Sequence, residues 1–166
     1  MRNFSVIMLM FLALAGCGDK KTTTSAQPAA SLRSKMQAAA LKNQAYIDQG
    51  MKYLQSSNIP AAIKSFNAAI KQNPRDPRGY LVLGQTYMRM QEYDKAINSF
   101  SVAAKVAPED GEAYYLLAVN YGLTGDKVLA RQNAEKSIEI FKNQRNQEKF
   151  VRSVALLNGL TKPEEK

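Results

Sequence analysis

Residues 46–74 read YIDQGMKYLQSSNIPAAIKSFNAAIKQNP, and residues 80–108 read YLVLGQTYMRMQEYDKAINSFSVAAKVAP. The second stretch repeats the first at a spacing of 34 residues. Tyr46, Gly50, Tyr53, Ala62, Phe66, Ala69 and Pro74 return as Tyr80, Gly84, Tyr87, Ala96, Phe100, Ala103 and Pro108. Identities at all of these positions in one register mark an internal repeat. A third copy, Tyr114, Ala118, Tyr121, Ala130, Ala134, Ser137 and Lys142, keeps the aromatic and small positions of its first half and loses the rest.

The pattern resembles the tetratricopeptide repeat, a helix–turn–helix unit, over about residues 43–144. The fold class it implies is all-α: a solenoid of three helix-turn-helix repeats and a C-terminal capping helix, after a signal peptide and a flexible linker. Elementary physics agrees. Gly50, Ala62 and Ala69 are small where antiparallel helices must approach, and Phe66 and Phe100 can fill the space between them. Pro74 and Pro108 end second helices, because proline lacks the N–H and clashes with the preceding turn. The pattern predicts helices near 44–56, 60–72, 78–90, 94–106, 112–123 and 127–142. A closing helix over 146–160 carries Phe150, Val151, Val154, Leu157 and Leu160 on one face, as a solenoid end requires.

Upstream, Met1-Arg2-Asn3 precedes an apolar run from Phe4 to Leu14. That run is too short for a membrane span, which needs about 20 residues, and fits the core of a secretory signal. It ends in Leu14-Ala15-Gly16-Cys17, which resembles the bacterial lipobox. The resemblance implies cleavage before Cys17 and acyl chains on it, and two or more chains anchor stably. An Asp directly after the Cys would resemble an inner-membrane retention signal; here Gly18 stands there and the Asp comes one place later, at Asp19, so the resemblance weakly favours the outer membrane facing the periplasm over the inner membrane. Residues 17–31 are small, polar and without periodicity, and read as a flexible tether. The full domain reading is signal peptide 1–16, acylated Cys and tether 17–31, helical lead-in 32–42, repeats 43–76, 77–110 and 111–144, closing helix 145–160, and disordered tail 161–166.

Composition limits the chemistry. The 166 residues hold 23 Lys+Arg, 14 Asp+Glu, one Cys and no His. A Ser-His-Asp triad, a Cys-His pair and a histidine metal site are therefore excluded. One Cys cannot form an internal disulfide. Glu109, Asp110 and Glu112 form a carboxylate cluster, but they fall in a turn and a first helical turn, where negative charge complements the helix dipole. Asp94 and Asp126 stand near the starts of second helices and read as caps. No catalytic residues, metal site or cofactor are expected, only the acyl chains on Cys17.

In the tetratricopeptide family the first helix of each repeat lines a concave groove. The resemblance maps the groove onto Gln44, Ile47, Met51 and Leu54, then Arg78, Leu81, Gln85 and Met88, then Glu112, Tyr115, Val119 and Gly122, with an apolar floor of Ile47, Met51, Leu54, Leu81, Met88, Tyr115 and Val119 and with Gln44, Gln85 and Arg78 as its polar points. Such an apolar floor suits an amphipathic helix or extended peptide, and Met adapts to varied partners. Carboxylate-clamp binding is disfavoured, since Ile47, Met51, Gln85, Tyr115 and Val119 stand at the clamp positions in place of Lys, Asn or Arg. Residues 32–42 could instead fold back and occlude the groove.

Charge is uneven: Lys20 to Arg89 hold 11 basic and 2 acidic residues, whereas Met90 to Asp126 hold 2 basic and 6 acidic. The resulting expectation is a lipid-anchored envelope lipoprotein that binds a protein or peptide, similar to pilotin-type assembly lipoproteins of pilus and secretion systems. The alternative is a scaffold that self-associates or lies on an anionic membrane through its basic half. Nucleic acid is not an expected partner.

Overall fold

The structure, a computed structural model, describes residues 27–161, with side chains described from Leu32 onward. Residues 1–26, with the expected signal peptide and Cys17, and residues 162–166, the expected tail, lie outside the described residues.

Seven helices follow in order: α1 (Gln27–Gln55), α2 (Ile59–Gln72), α3 (Pro77–Arg89), α4 (Tyr93–Val106), α5 (Gly111–Leu123), α6 (Lys127–Asn143) and α7 (Gln147–Thr161). Apart from the start of α1, each end falls within one residue of the sequence expectation. The starts of α2, α3, α5, α6 and α7 are set by short polar caps. Asp76, Asp110 and Asp126 accept from the backbone N–H of Arg78, Glu112 and Leu129, each at 3.0 Å. Asn58 caps α2 through Ala61 N–H, and Asn146 accepts from Lys149 N–H. These bonds satisfy donors that a helix start otherwise leaves unpaired. Asp94 is not a cap: it sits inside the first turn of α4, whose capping residue Glu92 makes no side-chain cap bond. Helices α2 and α4 end at Gln72 and Val106, ahead of Pro74 and Pro108.

Residues 27–31, read from composition as tether, belong to α1. Pro28 is tolerated in a first helical turn, and Ala29 and Ala30 have the best helix propensity. The lead-in 32–42 continues the same helix, so α1 is 29 residues long.

Helices pack as antiparallel pairs, α1 with α2, α3 with α4 and α5 with α6, and α7 lies against α6. The core is built by the repeated residues. Phe66 and Phe100 are fully buried. Their rings lie where a Cβ on Gly50 or Gly84 would be, 2.3 and 2.5 Å away. One cluster joins Ala62, Phe66 and Leu83; a larger one joins Ala96, Phe100, Ala103, Ala104, Ala113, Leu116 and Leu117. In the third repeat Ala134 replaces the aromatic residue, and Phe141 of α6 closes on Gly111 instead.

Helix α1 touches α3 and α5 touches α7, whereas comparable contact joins neither α3 to α5, α2 to α4 nor α4 to α6. The first helices α1, α3 and α5 share one side of the stack, its inner side, where Asn43 reaches Asp76 and Asn120 reaches Met88.

Candidate partner-binding site

The inner side gathers side chains from α1, α3 and α5, but not all the expected ones reach its surface. Ile47 is 7% exposed and belongs to the interior. It follows Asn43 and precedes Gly50 at helical spacing, on the side of α1 that meets its neighbours, and both are buried. Met51 is 42% exposed. Leu54, Leu81, Met88, Tyr115 and Val119 are half-buried. Leu54 leans on the Phe66 cluster, and Leu81, Met88 and Tyr115 lean on the Phe100 cluster. Gln85 is exposed. What remains open is a shallow apolar row with Met51 standing highest.

Arg78 is not a free polar point on that row. Its guanidinium lies on the Asp76 carboxylate at 2.6 Å and donates to the Gln44 side-chain oxygen. Asp76 also receives a 2.6 Å bond from the amide of Asn43, which is wholly buried. The hydrogen bonds from Arg78 hold the Asp76 carboxyl below the usual carboxylate range, against the opposing push of partial burial. This cluster locks α1 to the start of α3. It is a structural joint.

The far end of the row is closed by residues that repeat spacing does not reveal. Arg152 of α7 lays its guanidinium 4.1 Å from the centre of the Tyr115 ring. It also pairs with Glu112 at 2.6 Å, and Lys149 approaches the same carboxylate at 3.3 Å. A stacked, ion-paired Arg is well suited to such a joint. So Tyr115 is covered within the chain, and Glu112 serves structure. Residues 32–42 do not occlude the row: Leu32, Met36 and Leu41 stand in the open.

A recess of about 370 Å³ lies elsewhere, at the first end of the stack, lined by Tyr46, Gln49, Tyr53, Ala61, Lys64, Ser65 and Ala68. Gln49 occupies the place of the buried Leu83 and Leu117 one and two repeats on. A polar residue there suits an end with no preceding repeat packed on it. Among the described residues, no group of His, Cys, Asp and Glu could hold a metal ion. Nor is any described helix long and apolar enough to cross a membrane.

A family model for the tetratricopeptide repeat matches residues 53–119. The fold is a tetratricopeptide-type solenoid. The TPR2B domain of yeast Sti1, solved as a complex with pHsp70, aligns with a TM-score of 0.68 at 20% identity, covering 73% of this chain and 97% of that one. The Yersinia enterocolitica type III secretion chaperone SycD, solved with a peptide of the translocator YopD, aligns at 0.65 and 23% identity, covering 70% and 90%. The first repeat domain of Spaghetti (RPAP3), bound to an HSP90 peptide, aligns at 0.62 and 17% identity, covering 74% and 95%. At such identities the likeness is one of fold. No curated protein matches the sequence.

Proposed function

We propose that this protein is an adaptor of the bacterial envelope, held to a membrane by acyl chains on Cys17, that binds a peptide or helix of a partner protein on the inner side of its solenoid. It is a binding protein rather than an enzyme. The observation that carries this reading is the open apolar row around Met51, flanked by Leu54, Leu81, Met88 and Val119 and left uncovered by the lead-in helix. Adaptable Met and aliphatic side chains on a rigid helical frame suit a helix-in-groove partner. That the solved neighbours include peptide complexes supports the class of partner. Assembly of a pilus or secretion system is the setting that a lipobox combined with these repeats favours.

Leu81 and Met88 also pad the Phe100 cluster, so an Asp at either would disturb the fold as well as binding. Met51→Glu with Gln85→Glu is the cleaner variant, since both positions are exposed. The detergent-solubilised full chain and this variant would be used to capture proteins from envelope extract, with circular dichroism as the fold control. A protein held by wild type and lost in the equally helical variant is the expected result. Equal capture by both would remove the groove from the account. Palmitate incorporation that disappears in Cys17→Ser checks the anchor separately.

A further inference from the structure

The first half of α1 has no counterpart in the repeats. Residues 27–42 extend about 24 Å at 1.5 Å per residue. Leu32 and Met36 are 60% and 64% exposed. At 3.6 residues per turn, Leu32, Met36, Ala39 and Ala40 share one arc of the helix. Lys35 and Lys42 border that arc on one side and Arg33 on the other, all exposed. No acidic residue occurs between Lys20 and Ile47, which hold five basic ones: Lys20, Lys21, Arg33, Lys35 and Lys42.

We infer that the first half of α1 is a surface-binding helix for anionic phospholipid, laying Leu32 and Met36 into the headgroup boundary while Arg33, Lys35 and Lys42 meet lipid phosphates. An apolar arc edged by basic side chains is the pattern of helices that lie in a membrane interface. Long basic side chains can bury their stems and keep their charges at the phosphate level. Each such charge near an anionic surface contributes about 1 kcal/mol, or about fivefold. A second copy is a poor occupant, because pairing two of these segments would bring six positive charges together with no carboxylate to offset them. Proximity to a bilayer rests on the lipid attachment at Cys17: nine residues lie between it and Gln27, ten Cα-to-Cα steps that reach at most about 35 Å.

The test uses the full chain carrying Met36→Cys, or Leu41→Cys on the opposite side of the helix, labelled with an environment-sensitive fluorophore. An acylated Cys17 cannot take the label, so two labels per chain would report failure of the anchor independently. Each chain is reconstituted on phosphatidylcholine vesicles with or without phosphatidylglycerol, and label exposure is read by emission and by acrylamide quenching. The expected result is a position-36 label shielded several-fold on anionic vesicles, exposed on neutral ones, and released by high salt, with position 41 exposed throughout. Lys35→Gln with Lys42→Gln should lower the docked-to-free ratio by about thirtyfold. A chain that floats with vesicles while its position-36 label stays exposed overturns the inference and leaves the anchor standing. Docking on anionic vesicles without flotation on neutral ones keeps the inference and removes the anchor. Shielding in solution before vesicles are added, rising with protein concentration, overturns it in favour of self-association.

Discussion

A methyl group at Gly84 would meet the Phe100 ring at 2.5 Å, inside any tolerable contact. Gly84→Ala should therefore lower stability by about 1–3 kcal/mol through overpacking, although alanine is the better helix former. Gly159, also helical, faces open space, and Gly159→Ala should raise stability by about 0.5–1 kcal/mol. Urea unfolding of the pair separates packing from propensity. Asp76 gives a second contrast. Asp110 only caps its helix, so Asp110→Ala should cost about 1 kcal/mol. Asp76→Ala also strips the buried Asn43 amide of its acceptor, and should cost about 2–4 kcal/mol. Because the folded Asp76 carboxyl is held low by Arg78, its contribution is complete above the ordinary carboxylate range near pH 4 and is lost as pH falls through the folded value. Asp76→Asn, which keeps a capping side chain, should flatten the stability profile below about pH 4. The glycines were legible because they recur with their phenylalanines. The engagement of Arg78 was not, because it depends on a rotamer folding back over two residues. A third such case is the turn within each repeat. Ser57, Gln91 and Gly125 take positive φ at the same repeat position, and only the glycine advertises it.

Among the helices, α7 shows what spacing can and cannot give. Its limits followed from the apolar pattern, but its register did not. Helix α6 has 17 residues where α4 has 14, and the turn after it is one residue shorter. The closing helix thus falls two residues out of the 34-residue frame. Val151, expected on the packed face, is exposed, and Ser153 is buried in its place. Where the preceding junction holds Ala103 and Leu117 in one apolar cluster, this one has Ser137 and Ser153 bonded at 2.9 Å, with Ser137 also reaching the Gly111 carbonyl at 3.0 Å. The two serines should behave as a unit. Ser137→Ala and Ser153→Ala together should cost less than their sum, with a coupling of about 0.5–1.5 kcal/mol in a double-mutant cycle. Additive costs would mean that the bond contributes nothing. The opposite lesson comes from residues 27–31, where small-residue composition suggested a linker, whereas the helix that follows runs back through Ala29 and Ala30 to Gln27.

For the whole molecule, a solenoid is only as sound as its ends. Removing residues 144–166 would uncover Ile140 and Phe141, both 2% exposed. The shortened chain should lose more helical signal than the 15 residues of α7 account for, as α6 frays, and light scattering should show association. An intact, monomeric truncation would show that the third repeat closes on itself. The architecture was legible because each repeat restates it. The open part of the inner side was not, since Ile47 and Met51 are only four residues apart and their difference is set by how neighbouring helices lean together. The unbroken course of α1 has a mechanical consequence. Its later half carries Gly50 under Phe66 and Leu54 against the same cluster, while its early half stands clear. A sideways load at Gln27 acts through a lever arm of about 24 Å, and it twists the first repeat before any other. A load along the axis must instead shear α1 past α2 with every contact engaged at once. Tension on the N-terminal side would thus be felt first where Met51 and Leu54 sit.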